Sequence, residues 1–87
     1  MEKSEQTKTD LALKGFEVIE DLIPTFEGNI YFRITVRNIS KQGLNYSMSE
    51  KITPLQIKNT IVPYISLSRR HILERILNEM KKHGEID

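Results

Sequence analysis

The first apolar pattern of the chain lies near its N-terminus. Residues 11–23 place apolar side chains three or four positions apart, which is the spacing of an amphipathic helix. Pro24 would end this helix. Gly15 in its middle would weaken it by roughly 1 kcal/mol relative to alanine, which suggests a close approach of another backbone. The pattern therefore predicts one N-terminal helix, preceded by a flexible segment of residues 1–8.

The next pattern alternates strictly and is typical of a half-buried β-strand. In NIYFRITVR, residues 29–37, every second side chain is apolar. Turn-forming residues follow as far as Gly43, and a second alternation begins at Leu44. This predicts a β-hairpin over residues 29–50. Its apolar face should pack on helices, because two strands alone are marginally stable in water.

Two helix signals occupy the C-terminal part. The stretch TPLQ, residues 53–56, combines a capping threonine, proline at the first helical position and glutamine three residues after the cap. Pro63 should end this short helix. A turn over residues 63–68 would lead to a last helix with one apolar side, ending at Gly84. Since 87 residues support one core, we expect a single small α+β domain in the order helix, hairpin, helix, turn, helix.

Composition excludes several classes of protein. The chain has no cysteine, which removes disulfide frameworks, thiolate zinc sites and thiol nucleophiles. Its 38% hydrophobic and 29% charged residues are ordinary for a soluble globular protein, and no apolar run approaches the roughly 18 residues of a membrane span. The polar N-terminus carries no apolar signal region, so we expect a cytoplasmic protein without membrane contact.

The net charge of +1 conceals two oppositely charged parts of the chain. Residues 1–28 carry three lysines against seven carboxylates, a net charge of −4, whereas residues 29–87 carry ten cations against five carboxylates, a net charge of +5. Such a division fits a nucleic-acid face balanced by an outer acidic face. It fits equally an internal pairing between the two parts.

Residues that could support catalysis or bind a metal are scarce. His71 and His83 have no second histidine at the spacing of a metal pair, and the glycines form no phosphate-binding loop. The carboxylates between residues 17 and 27 are better explained by an exposed polar face than by an acid and base pair. We therefore expect no enzyme, no metal and no cofactor.

The last helix carries residue types that suit a DNA duplex. Arginine can hold guanine bidentately, asparagine can pair with adenine, and serine or lysine can hold phosphates. The alternative is a solvated helix, in which Arg70 with Glu74 and Arg75 with Glu79 are ordinary i, i+4 pairs worth about 0.2–0.5 kcal/mol each.

The arrangement from Thr53 onward resembles a winged helix-turn-helix DNA-binding domain. Over residues 53–84 a capped short helix, a turn and a longer basic helix follow one another, and the aliphatic spacing ahead of Gly84 is similar to that of a winged-helix recognition helix. The resemblance implies that the last helix enters the major groove. Only residues 85–87 follow Gly84, so the earlier hairpin would serve as the wing or as a ribbon that grips the DNA backbone.

The expected function is therefore that of a small DNA-binding protein, either a transcriptional regulator or an accessory factor that marks a DNA site. A single alanine among many isoleucines and lysines hints at an AT-rich genome, such as that of a plasmid or phage. Expected contacts to base edges come from Arg69, Arg70, His71, Arg75 and Asn78. Expected contacts to phosphates come from Ser66, Ser68, Lys58, Arg33, Arg37, Lys41 and Lys82. We expect a homodimer on double-stranded DNA, with the N-terminal helix as the dimer element.

A protein-binding module is the competing hypothesis. Such an inhibitor or adaptor would engage a host or cellular protein through the acidic N-terminal helix, or through the open edge of the hairpin, since strand edges offer unpaired backbone groups. The carboxylates that would carry this function are Glu17, Glu20 and Asp21.

Overall fold

The computed structural model orders its elements as helix, three strands and helix, and it describes residues 3–39, 45–55 and 61–86. The elements are α1 Lys3–Leu13, β1 Phe16–Pro24, β2 Ile30–Asn38, β3 Tyr46–Ile52 and α2 Ile61–Lys82. The strands form one antiparallel sheet in the order β1-β2-β3. The predicted α+β class is therefore confirmed.

The predicted N-terminal helix is wrong beyond its first part. α1 ends at Leu13, and Gly15 follows with a φ of +88°, a left-handed conformation that glycine adopts without steric cost. Residues 16–24 then form β1, which pairs with β2 along its whole length. The apolar residues of this segment fit a helical period, but its β-branched side chains and the free edge of β2 favour a strand. At the other end, residues 3–8 of the segment expected to be flexible belong to α1.

The predicted hairpin forms two of the three strands. β2 and β3 are antiparallel, with Ile30 opposite Ile52 and Val36 opposite Tyr46. β1 occupies the other edge of β2, so that Phe16 lies opposite Asn38. The central strand is therefore the one with the strictest alternation in the sequence.

The core lies between one face of the sheet and the two helices. α2 packs against β2 and β3, and α1 packs against β1 and α2. The buried apolar side chains are Leu11, Phe16, Phe32, Ile34, Val36, Tyr46, Ile52, Ile72, Leu73, Ile76 and Met80. Each large side chain of this kind contributes roughly 1.5–3 kcal/mol when fully buried, so the core sets which side of α2 faces outward.

The predicted turn over residues 63–68 is wrong, because α2 runs unbroken through it. Pro63 is the third residue of α2, and proline costs little in the first turn of a helix. Of the predicted short helix, Pro54 and Leu55 are helical, and residues 56–60 lie outside the described residues. No winged helix-turn-helix motif is recognisable in the part of the chain that the structure describes.

The predicted helix end at Gly84 is confirmed. Gly84 has a φ of +74°, and its amide donates to the carbonyl of Lys81. The amide of Glu85 donates to the carbonyl of Met80 at 2.9 Å, which completes a Schellman cap. This cap ends α2 just after its two terminal lysines.

A half-buried ion cluster joins α1, β1 and α2. The side chain of Glu20 lies on the inner side of β1, facing the helices. Its two carboxylate oxygens accept hydrogen bonds from Nε and Nη2 of Arg69 at 2.7 and 3.0 Å, and Nζ of Lys8 lies 2.8 Å away. The Arg69 guanidinium also lies over the ring of Phe32, 5.7 Å from its centroid. One carboxylate thereby holds both helices to the edge strand.

The surroundings of Glu20 keep it ionised. Burial by itself raises the pKa of Glu20, but the hydrogen bonds and positive charges of Arg69 and Lys8 together outweigh burial and hold this pKa below its ordinary value. The stabilisation that the ion cluster gives is therefore fully present at pH values above the ordinary pKa of a glutamic acid. Its contribution is lost as the pH falls through the lowered pKa.

We predict that Gly15→Ala destabilises the protein by about 1–2 kcal/mol, because alanine pays that cost in the left-handed region. A Cβ at this position would meet no atom within 4 Å in the described part of the chain, so backbone strain is the only cost. Urea denaturation measures the change, and Leu13→Ala, at an exposed position, is the control. A gain of roughly 1 kcal/mol would contradict the structure, since it is what a helix interior gives.

We predict that Glu20→Gln lowers the free energy of unfolding by about 1–3 kcal/mol at neutral pH, because Arg69 keeps its position without a carboxylate partner. The gap between wild type and variant should close as the pH falls below 4.5, the ordinary pKa of the residue, because the wild-type carboxylate then becomes protonated. Urea denaturation at a series of pH values measures this gap. Asp21→Asn is the control, since it breaks only an exposed pair worth about 0–1 kcal/mol. A gap that is unchanged at low pH would refute the role given to the cluster.

Candidate nucleic-acid interface

The acidic and basic parts of the chain meet across the sheet. On the outer face, Asp21 pairs with Arg33 at 3.0 Å, and Glu17 pairs with Arg37. Both pairs join residues that lie directly opposite each other in β1 and β2. The third carboxylate of β1 belongs to the ion cluster on the inner face. Internal pairing thus accounts for much of the charge division in the sequence.

Two of the predicted phosphate contacts lie far from the C-terminal helix. Arg33 and Arg37 project from the outer face of the sheet, whereas α2 packs on the inner face. Each guanidinium already faces a carboxylate of β1. A straight duplex bound to the exposed side of α2 would not reach them. Two more predicted contacts, Lys41 and Lys58, lie outside the described residues.

Three further predicted contacts lie on the inner side of α2. Ser68 is only 8% exposed, and Ser66 is half-buried. Arg69 is bound bidentately to a carboxylate inside the ion cluster. While α2 packs on the sheet, these three side chains expose little surface to a base edge or a phosphate. We therefore leave them out of the interface.

The remaining predicted contacts share one exposed face of α2. They are Arg70, His71, Arg75, Asn78 and Lys82. This face lies opposite the buried side chains of Ile72 and Ile76. Lys81 also belongs to it, although the sequence reasoning did not include it among the contacts. The signal was present, because Lys81 follows Arg70 by about three helical turns and so points the same way.

Two cations on this face have no ionic partner within residues 3–39, 45–55 and 61–86, namely Arg75 and Lys81. Two other cations on the face form exposed ion pairs, Arg70 with Glu74 at 3.8 Å and Lys82 with Glu79 at 3.2 Å, and the imidazole of His71 lies 3.7 Å from Glu50. Exposed pairs are worth about 0.2–1 kcal/mol, so these cations can turn toward a stronger anion. The face is therefore positive and available to a polyanion.

The shape of α2 suits a groove in a duplex. Its 22 residues span roughly 33 Å at 1.5 Å per residue, and its exposed side stands away from the sheet. The major groove of B-DNA is about 12 Å wide and admits an α-helix. Arginine and asparagine on the exposed side present the donors and acceptors that base edges recognise, and the lysines present charge to phosphates.

Two other features are absent from the described residues. Among them, no group of three or more His, Cys, Asp or Glu side chains is placed to hold a metal ion. Within the same residues, neither helix is long and apolar enough to cross a membrane.

The protein-binding alternative keeps only part of its basis. The acidic segment expected as a helix is largely β1, and Glu17, Glu20 and Asp21 each face an arginine. β1 also covers one edge of the hairpin. The outer edge of β3 pairs with no strand in the described part of the chain. The protein-binding hypothesis therefore becomes one in which a partner protein adds a strand at this edge.

No protein-family model matches this chain, and comparison with curated proteins and with solved structures gives no significant match. No function can therefore be transferred to this chain from a related protein or from a protein of the same fold. What the protein binds must be inferred from the charge and geometry of α2.

Proposed function

We propose that this protein binds double-stranded DNA through the exposed face of α2. The observation that carries the proposal is the distribution of positive charge. Arginines on the sheet and on the inner side of α2 are matched by carboxylates of β1, whereas the exposed face of α2 keeps Arg75 and Lys81 without an ionic partner in the described residues. Among the described residues, most of the excess positive charge thus lies on one long, accessible helix.

The residues of this face divide into two roles. Arg70, Arg75 and Asn78 are the side chains suited to base edges, because arginine reads guanine and asparagine reads adenine through paired hydrogen bonds. Lys81 and Lys82 supply charge for phosphates, which orient the protein without reading sequence. His71 lies beside them on the same face. The division predicts that sequence preference depends on the first group and general affinity on the second.

The position of the cations changes how the helix would dock. They begin at Arg70, several residues into α2, because the preceding Ser68 and Arg69 face the core. The groove would therefore receive the C-terminal part of α2, and not its N-terminal end as in a helix-turn-helix. A module of this size buries little DNA surface alone, so we propose that it acts as a dimer on two half-sites about one helical turn apart. Its role would be to regulate transcription or to mark a DNA site.

The central experiment is fluorescence anisotropy of a labelled mixed-sequence duplex, titrated between about 50 and 200 mM salt. Wild type should bind with a micromolar dissociation constant that rises steeply with salt, because binding releases counterions. Arg75→Gln should weaken binding several-fold. Arg37→Gln removes the same charge from the opposite side of the molecule, where it is paired with Glu17, and should leave binding unchanged. Absence of binding by wild type at the lowest salt, or equal losses in both variants, would refute the proposal.

A second variant should gain affinity. Glu74 lies on the exposed face beside Arg70, so Glu74→Gln removes a negative charge near the phosphates and frees the arginine. We expect about a two- to tenfold tighter dissociation constant, equivalent to roughly 0.4–1.4 kcal/mol. Glu27→Gln changes the net charge equally, but lies in the exposed turn between β1 and β2, and is the matched control. Equal gains in the two variants would show that only net charge matters and that α2 has no special role.

A further inference from the structure

A groove between α1 and α2 adjoins the exposed face of α2. It consists of two neighbouring hollows of about 420 and 180 Å³, which share Thr7, Leu77 and Lys81 in their walls. Arg70 lines the larger hollow and Lys14 the smaller. The groove thus runs along the side of α2, from the first cation of the exposed face to its last turn.

Two lysines from different parts of the chain meet in the smaller hollow. Lys14 directly follows α1, Lys81 lies in the last turn of α2, and neither has an ionic partner among the residues that the structure describes. Asp10 lines the same hollow, but one of its carboxylate oxygens accepts a hydrogen bond from Gln6 at 3.0 Å. Over both hollows the lining side chains carry three cations against two carboxylates. The side chains that line the groove therefore carry one more positive than negative charge.

The location of this groove matches that of a DNA backbone. When a helix lies in the major groove, a phosphate strand passes along each of its sides. On one side of α2 that path coincides with the space beside α1. The smaller hollow, of about 180 Å³, is several times the roughly 30 Å³ that one water occupies in the liquid, which leaves room for the five heavy atoms of a phosphate group.

We infer that the groove between α1 and α2 receives the phosphodiester backbone of one strand of the bound duplex, with Lys14 as a phosphate contact from outside α2. This inference rests on the proposed function, because the backbone reaches the groove only when α2 occupies the major groove. It gives α1 a part in binding that the sequence did not suggest. It also sets the side of α2 along which that strand runs.

The test compares Lys14→Gln with Lys51→Gln. Both remove one exposed lysine, but Lys51 lies on the outer face of the sheet, away from α2. In the anisotropy titration, Lys14→Gln should reduce the slope of log K against log salt by about 0.9, the value for one lost phosphate contact. Lys51→Gln should leave the slope unchanged. Lys14→Arg keeps the charge and should keep the slope, which separates a lost contact from a disturbed fold.

The possible outcomes separate this inference from the proposed function. If wild type binds the duplex and Lys14→Gln has an unchanged slope, the inference is wrong and binding through α2 stands. If wild type does not bind, the proposed function fails first, and the inference fails with it. Backbone amide shifts near Lys14 provide a second readout, titrated with duplex and with inorganic phosphate at equal ionic strength. Shifts that appear with inorganic phosphate but not with duplex would assign the groove to a free anion and would overturn the backbone assignment.

Discussion

The carboxylate of Glu20 imposes the constraint on which the rest of the structure depends. Its side chain projects from β1 toward the core, where an unpaired charge would be costly, so it must be paired with cations. Arg69 from α2 and Lys8 from α1 meet this need, and their bidentate and single contacts bring both helices to the same strand. Arg69 faces inward on the same side as Ile72 and Ile76, so the ion pair and the apolar core require the same rotation of α2 about its own axis. The exposed face of α2 is a consequence of both.

Charged side chains on the outer face of the sheet are paired in the same way. An antiparallel partner places each residue of β1 directly opposite one of β2, and the two opposed pairs on the outer face are of opposite sign. These pairs are individually weak, but they leave little unmatched positive charge on the sheet. The imbalance of the basic part of the chain is then concentrated in α2. A charge division that looks like a nucleic-acid signal in the sequence is thus partly internal, and only its remainder is available to a partner.

The fold was predictable where one period excluded all others. β2 alternates without exception, and that alternation identifies a strand whatever surrounds it. Residues 16–24 carry apolar side chains that satisfy both a helical and a strand period, and pairing with β2, which is a tertiary interaction, decides between them. Gly15 was the local indication that the helix ends and a strand begins, because glycine suits a helix end at least as well as a helix interior. Pro63 misled for a related reason, since the effect of proline depends on whether the helix has just begun.

The candidate site was predictable to the extent that helical phase was. The apolar residues of α2 indicate its inner side, and the polar residues opposite to them, such as Arg75 and Asn78, are exposed as expected. The inward orientation of Arg69 cannot be predicted in this way. Its partner Glu20 lies 49 positions away in the sequence, and no local pattern shows that a cation is required at position 69. The position of Lys14 cannot be predicted from helical phase either, because it follows α1 and approaches α2 only through the packing of α1. Residues whose role depends on a distant partner need the folded chain to be recognised, whereas those that depend only on their own helix do not.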